Sequence, residues 1–315
     1  MSYYMLALLY TYNCCASCDI CTYYCAPKRE EKMELEEAMR YVREGKELGM
    51  RMLGVAGGEP LLYLDEILEL SSYANGLGMN ITLTSNGYWG SSFDRAYVIL
   101  DALRNVGVRH IKISSDEFHG RYIPYENIAN VLNAAKELQV KIVLGCTSLK
   151  NSSRLKGLLE HIQDAATGVI LMEQTCYPIG RAREMFRKED FIHEKRAMTS
   201  CRDSGMLIVT PEGNVYPCGS MCSNVPGRLT GSLAEQSMAS LIERAEQDRH
   251  NRFIRKHGVQ PYYDYIKEHN IPIPLEENLV DTCHACYELF RDERWLPELD
   301  KVVERLESAY GAARG

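Results

Sequence analysis

Three cysteines near the start of the chain, Cys14, Cys18 and Cys21, follow one another with the spacing C-x3-C-x2-C. Three thiolates on one short loop can hold three irons of a [4Fe–4S] cluster and leave the fourth iron open to a further ligand. A structural zinc site needs a fourth protein ligand nearby, and Cys25 could supply it. The loop by itself therefore predicts either a reactive iron–sulfur cluster or a structural zinc site.

A second group of residues has the types and positions needed to bind a small polar molecule. They follow three predicted strands: Gly57, Gly58, Glu59 and Pro60 after the second, Ser85 and Asn86 after the third, and Ser114 and Asp116 at the fourth. Glycines permit close backbone approach, and the short polar side chains can hydrogen-bond a ligand or serve only in turns. His119 is either a substrate contact or proton donor, or a packed histidine.

Another set of cysteines lies in the C-terminal part of the chain: Cys201, Cys218, Cys283 and Cys286. Cys201 and Cys218 flank a predicted hairpin with the spacing C-x11-G-x4-C, and the last two form a C-x2-C pair. Four thiolates arranged in this way can close a site for zinc or for an iron–sulfur cluster.

Composition and charge narrow the class of protein. The chain has 315 residues, 12 of them cysteine, and a net charge of −7 with scattered basic residues, so we expect no nucleic-acid partner. It contains no apolar run of the roughly 20 residues that span a membrane, and no export signal begins it. We therefore predict a cytoplasmic protein without a membrane partner, in which the cysteines serve metal or thiol chemistry.

The predicted strands and helices that must position these residues alternate along the chain. Apolar runs predict six strands, at 5–12, 51–56, 80–84, 110–114, 141–145 and 169–173, and helical periodicity predicts helices at 33–48, 63–76, 93–106, 125–138 and 151–164. This is an α/β series with a parallel sheet, either a partial barrel or an open doubly wound sheet. In both, the active site lies at the carboxyl ends of the strands.

The pattern changes after residue 195. We predict one domain over 1–195 and a smaller one over 196–315, which contains a short hairpin at 207–216 and helical runs near 232–256 and 296–309. Arg181 and Arg183, which follow Pro178-Ile179-Gly180, are expected to bind a carboxylate or to lie on the solvated surface.

The C-x3-C-x2-C loop after the first strand and Gly57-Gly58-Glu59-Pro60 after the second together resemble the radical S-adenosylmethionine (SAM) enzymes. The resemblance implies a partial (β/α)6 barrel in which Cys14, Cys18 and Cys21 ligate a [4Fe–4S] cluster whose open iron is chelated by SAM. It also implies that Gly57 and Gly58 let the backbone approach SAM closely, that Glu59 offers a carboxylate to its ammonium, and that Pro60 stiffens the turn. Ser85, Asn86, Ser114 and Asp116 would hold its ribose or carboxylate.

The C-terminal cysteines resemble the twitch domain, a truncated SPASM domain with one auxiliary [4Fe–4S] cluster. By that resemblance Cys201, Cys218, Cys283 and Cys286 are its ligands, with zinc as the alternative metal. Cys222 lies four residues after Cys218 and could replace it as a ligand.

The cysteine loop, Asp116-Glu117-Phe118-His119 and the overall length look most like the YydG (EpeE) group of radical SAM peptide epimerases. That likeness implies conversion of L- to D-residues in a ribosomal precursor peptide, with Cys222 as the hydrogen donor and flavodoxin or ferredoxin as electron donor. Two alternatives stay within radical SAM chemistry: a peptide cross-linking enzyme (cyclophane or thioether) and a twitch-type dehydrogenase. A zinc-stabilised peptide-binding scaffold is the alternative from another class.

Overall fold

The computed structural model describes residues 3–193, 201, 205–220 and 224–312. The chain forms two compact units. The first comprises Tyr4–Ile192 with Val209–Gly213, and the second comprises the described residues of Met1–Tyr3, His193–Ile208 and Asn214–Gly315. The predicted boundary between residues 195 and 196 lies outside the described residues.

The first unit is built on six parallel strands. They are β1 (Met5–Thr11), β2 (Met52–Gly57), β3 (Asn80–Ser85), β4 (Val108–Ser114), β5 (Lys141–Ser148) and β6 (Ile170–Thr175). Each strand pairs in parallel with the next one along the chain, so the spatial order from β1 to β6 is sequential. A doubly wound sheet would reverse its order at a switch point, and the partial-barrel prediction is therefore confirmed.

Helices connect the strands, as a parallel sheet requires. They are α1 (Leu35–Glu47), α2 (Leu64–Gly76), α3 (Phe93–Asn105), α4 (Tyr125–Leu138) and α5 (Arg154–Ile162), and a short α6 (Arg181–Met185) follows β6. Helix α4 shows why these segments are helical, because Ile128, Val131, Leu132 and Ala135 recur at helical spacing and are all buried. All seven residues of β1 are buried, as expected for a strand covered on both faces.

The described residues of the second unit form five α-helices and three short strands, the first of which ends at Val209 of the first unit. They are β7 (Met206–Val209), β8 (Asn214–Tyr216), β9 (Gly231–Ser232), α7 (Met238–Gln247), α8 (Arg249–His257), α9 (Gln260–Glu268), α10 (Thr282–Phe290) and α11 (Leu296–Ala312). The single helical run predicted near 232–256 is wrong. It is two helices, because the Asp248 side chain accepts the backbone N–H of Asn251 and starts α8 there.

The core of the second unit explains two helices that the sequence did not predict, α9 and α10. Tyr262 of α9 and Phe290 of α10 are fully buried, and they pack with Phe253 of α8 and Val302 of α11 in one apolar cluster. Their burial stabilises short helices that would be marginal in isolation. Among the described residues, no helix combines the length and the apolar character that crossing a membrane requires.

Candidate active site

A cavity of about 200 Å³ opens at the carboxyl ends of the six parallel strands. The predicted ligands Cys14, Cys18 and Cys21 line it together. Its other lining residues are Ala16, Ile20, Cys25, Gly57, Gly58, Thr84, Ser85, Asn86, Ser114, His119, Thr147 and Gln174. The structure thus gathers three cysteines and a set of short polar side chains around one space, at the edge of the sheet where an α/β active site belongs.

The cysteine loop is held by its own backbone. The N–H of Cys14 donates to the carbonyl of Ala26 at 3.1 Å, and the N–H of Cys21 donates to the carbonyl of Cys18 at 3.1 Å. Burial raises the pKa of the Cys18 thiol to about 12, whereas a hydrogen bond from the Cys25 thiol lowers the pKa of Cys21 to about 6. Binding a metal here would displace protons, since thiolates are the ligands.

Asn86 joins this loop from the end of β3. Its amide nitrogen lies 3.6 Å from Sγ of Cys14 and 3.3 Å from Sγ of Cys15, within hydrogen-bonding distance for sulfur. Amide donors to ligand sulfurs help to orient the ligands and tune a cluster. Asn86, which was predicted to help bind SAM, therefore also contacts Cys14, a predicted metal ligand.

Gly57 and Gly58 are required by a close approach between two strand ends. Gly57 has φ +140°, and a Cβ on it would lie 2.4 Å from the carbonyl oxygen of Thr11. A Cβ on Gly58 would lie 2.1 Å from the carbonyl oxygen of Asn13. Only glycine permits both positions, and the two residues bring the end of β2 against the start of the cysteine loop.

The contact between the Glu59 carboxylate and the SAM ammonium stays a prediction. The side chain is completely buried and absent from the lining of the cavity. Its oxygens accept the backbone N–H of Leu61 at 3.1 Å, the hydroxyl of Ser85 at 2.9 Å and the backbone N–H of Asn86 at 2.7 Å. Burial raises the pKa of Glu59 to about 8, although these hydrogen bonds act in the opposite direction. Glu59 therefore holds Ser85 and Asn86, two of the residues that line the cavity.

Pro60 and Asp116 also lie behind the cavity. Pro60 begins a short 3-10 helix, Pro60–Tyr63, and does not line the space. Asp116 is buried, and its carboxylate accepts the N–H groups of Phe118 at 3.0 Å, His119 at 2.9 Å and Thr147 at 3.1 Å. Asp116 thus links the loop after β4 to β5, and the neighbouring His119 lines the cavity.

His119 lines the cavity, and the sequence alone did not decide its role. Its Nδ1 lies 2.8 Å from Oδ1 of Asp116. Burial acts to lower the pKa of His119, but the negative charge and hydrogen bond of Asp116 outweigh it and raise that pKa above its usual value. The Asp-x-x-His spacing was a usable signal, because a turn brings residues three apart together.

Thr147 and Gln174 were missed because the fifth and sixth strands were predicted to end too early. In the structure β5 and β6 continue to Ser148 and Thr175, and Thr147 pairs directly with Gln174. The two side chains therefore extend the polar lining to the last strands.

The second group of cysteines lies within the second unit. Cys201, Cys218 and Cys286 all pack against its apolar core, and Cys283 and Cys286 occupy the first turns of α10. Burial raises the pKa of Cys218 to about 11, and the neighbouring thiols of Cys286 and Cys201 add to this effect. Cys222 lies outside the described residues.

In the parts of the chain that the structure describes, no three His, Cys, Asp or Glu side chains form a group compact enough to hold a single metal ion. A cubane cluster bonds each thiolate to a different iron, so its ligands stand further apart than those of one ion. The three thiols at the cavity and the glycine turn beside them fit a cluster with an exchangeable corner.

Residues 8–162 match the sequence profile of the Radical SAM superfamily. Together with the sequential parallel sheet and the three-cysteine cavity, this match identifies residues 8–162 as a radical SAM domain, and the chain is a radical SAM enzyme with SAM and a [4Fe–4S] cluster as cofactors. Cys14, Cys18 and Cys21, which line the cavity together, would hold the cluster, and the cluster would supply an electron for the cleavage of SAM.

A curated relative is the "Putative peptide biosynthesis protein YydG" of Bacillus subtilis, 27% identical over 293 residues that cover 88% of this chain and 89% of that protein. Two solved structures share the fold. One is native anSMEcpe with bound AdoMet and Cp18Cys peptide (TM-score 0.56, 14% identity, 96% of this chain and 99% of that one). The other is Streptococcus suis SuiB bound to the precursor peptide SuiA (TM-score 0.52, 15% identity, 93% and 76%).

Proposed function

We propose that this radical SAM enzyme is a peptide epimerase, which inverts L-residues of a ribosomally made precursor peptide to D-residues. The observation that carries the proposal is the similarity to YydG, which extends over 88% of the chain and therefore reaches beyond the radical SAM region at 8–162 into the second unit. Peptides bound to the two enzymes of the same fold support a peptide as the substrate class.

The reaction requires two hydrogen transfers at one alpha carbon. When bound, the cluster would supply one electron that splits SAM into methionine and a 5′-deoxyadenosyl group, and that group would take the alpha hydrogen atom of the peptide and leave as 5′-deoxyadenosine. The Cys222 thiol then returns a hydrogen atom to the opposite face. Its sulfur is left as a thiyl radical, which regains one electron from an external donor and one proton from solvent. The peptide changes its configuration and keeps its mass.

An auxiliary [4Fe–4S] cluster held by Cys201, Cys218, Cys283 and Cys286 belongs to the same proposal. The support is the burial of Cys218 beside Cys201 and Cys286, and the placement of Cys283 one helical turn before Cys286 on α10. Such a cluster can pass an electron to the thiyl radical of Cys222, with flavodoxin or ferredoxin as the external source.

Turnover in deuterated water tests the function directly. The probes are synthetic peptides that correspond to short reading frames beside the gene. Because the thiol exchanges its hydrogen with solvent, each inverted residue should gain one deuterium at its alpha carbon, and hydrolysis with chiral analysis should find the D-residue. A product two mass units lighter without deuterium would show oxidation or cross-linking instead.

The Cys222→Ala variant tests the donor role, with Ser223→Ala as the matched control. Neither SAM cleavage nor hydrogen abstraction needs the thiol, so Cys222→Ala should still form 5′-deoxyadenosine and should yield no D-product. Normal inversion by this variant would exclude the donor role. Loss of iron from Cys222→Ala would instead make Cys222 a cluster ligand in place of Cys218.

A further inference from the structure

The segment that follows β6 contacts the cysteine loop through Arg181. Its Nη1 donates to the carbonyl of Cys18 at 2.6 Å, and its Nη2 donates to the carbonyl of Cys25 at 2.9 Å. Its backbone N–H donates to the carbonyl of Cys21 at 3.0 Å. One residue therefore holds three carbonyls of a loop that lies 156 to 163 positions earlier in the chain.

Gly180 makes this contact possible. Its φ is +53°, and a Cβ on it would lie 2.4 Å from the carbonyl oxygen of Thr22 and 2.5 Å from that of Cys21. An L-residue would be strained in this conformation and would collide with the loop backbone. Gly180 thus fits against the cysteine loop because it has no side chain, and Arg181 binds the same loop through its guanidinium.

The guanidinium is well suited to this position. Its planar fork can donate to two carbonyls at once, which the single nitrogen of a lysine does less well. Because these donors of Arg181 are engaged by the loop, the residue is neither a free carboxylate receptor nor a solvated surface charge. Its cation lies against the backbone of Cys18, which is a predicted cluster ligand.

We propose that Arg181 is a positioning residue of the SAM-binding cluster, which fixes the ligand loop through its carbonyls and favours the reduced cluster through its positive charge. The cluster and its three thiolates form an anion that takes up one further electron from an external low-potential reductant, with no bond made or broken. A nearby cation stabilises the more negative state. The inference rests on the SAM-binding cluster and is independent of what happens to the substrate.

The first test measures opening of the loop in the reconstituted full-length protein. Cys25 is 3% exposed and is not one of the three predicted cluster ligands, so its rate of labelling by iodoacetamide reports on the loop, while Cys146, which is fully buried in β5, is the internal reference. Because Arg181→Gln loses the charged hydrogen bonds that hold the loop closed, Cys25 should be labelled about ten- to a hundredfold faster in this variant. Arg183→Gln, an exposed position on the same short helix, is the control and should not change the rate.

The second test is the midpoint potential of the SAM-binding cluster, followed by electron paramagnetic resonance and recognised by the change in its signal on adding SAM. Arg181→Gln should have a lower potential than the wild type. Arg181→Lys keeps the charge without the fork, so its potential should return toward the wild-type value while Cys25 still labels faster.

Wild-type labelling and potential in Arg181→Gln would overturn the proposal. If Arg181→Gln fails to keep the cluster while Arg183→Gln keeps it, the positioning role is supported. The midpoint potential of Arg181→Lys then tests the role of the charge. A potential in Arg181→Lys well below that of the wild type would refute the electrostatic part.

Discussion

Asp116 holds His119 against the wall of the cavity: Oδ1 of Asp116 lies 2.8 Å from Nδ1 of His119, and it also accepts the backbone N–H of His119 at 2.9 Å. The proton of Nδ1 is therefore directed to the carboxylate, which leaves Nε2 available to a ligand. Asp116 is 2% exposed, so the carboxylate of the pair is shielded from water.

Asp116→Asn should lower the pKa of His119, because the charge that stabilises the imidazolium is removed. A histidine with a raised pKa in the folded state contributes stability that is complete below about pH 6.5 and is lost as the pH rises through the raised value. Titration of the His119 ring by nuclear magnetic resonance measures the change. An unaltered pKa in the variant would contradict the pairing.

The same substitution should destabilise the protein by about 1–3 kcal/mol, because an amide NH2 would face backbone donors that now point at a carboxylate. Asp94→Asn is the control, since Asp94 is exposed in the first turn of α3. Urea unfolding of both variants at pH 7 gives the comparison, and equal midpoints would count against the buried network.

Glu59 should make the stability of the protein depend on pH. Its pKa is raised from 4.5 to about 8 by burial, so its contribution is complete below about pH 4.5 and is lost as the pH rises through 8. Glu59→Gln removes this ionisation and should flatten the curve of stability against pH between 5 and 9. Glu69→Gln, exposed on α2, should leave the curve as in the wild type.

Gly58→Ala should prevent the end of β2 from reaching the cysteine loop, since the added Cβ would lie 2.1 Å from the carbonyl oxygen of Asn13. We expect reduced iron at the first site and weaker SAM binding. Gly76→Ala is the matched control, because a Cβ there meets nothing within 4 Å, and it should change stability by less than about 1 kcal/mol. Full iron content and SAM affinity in Gly58→Ala would show that the close approach is dispensable.

Anaerobic reconstitution should give about eight irons per chain, from two four-iron clusters on separate cysteine sets. Joint replacement of Cys14, Cys18 and Cys21 by Ala should leave about four irons and abolish SAM cleavage. Joint replacement of Cys283 and Cys286 by Ala should remove the other four. Zinc bound at the second set in place of iron would refute the auxiliary cluster.

Local sequence patterns were sufficient to predict the strands and helices of the first unit. The alternation of apolar strands and amphipathic helices predicted all six parallel strands and the five helices between them within a few residues. The C-x3-C-x2-C loop directly follows the first strand, and Gly57 and Gly58 come at the end of the second. In a parallel sheet the carboxyl ends of the strands meet at one edge, so even the meeting of Cys14, Gly58, Ser85 and Ser114 follows from chain order alone.

The direction of each side chain depends on contacts that no local pattern contains. Glu59 turns inward because donors from Ser85 and Asn86, 26 and 27 positions later, satisfy its carboxylate. Arg181 finds its carbonyl partners 156 and 163 positions away. Such pairs form only when the sheet has brought the strand ends together, and burial then favours whichever orientation leaves no polar group unsatisfied.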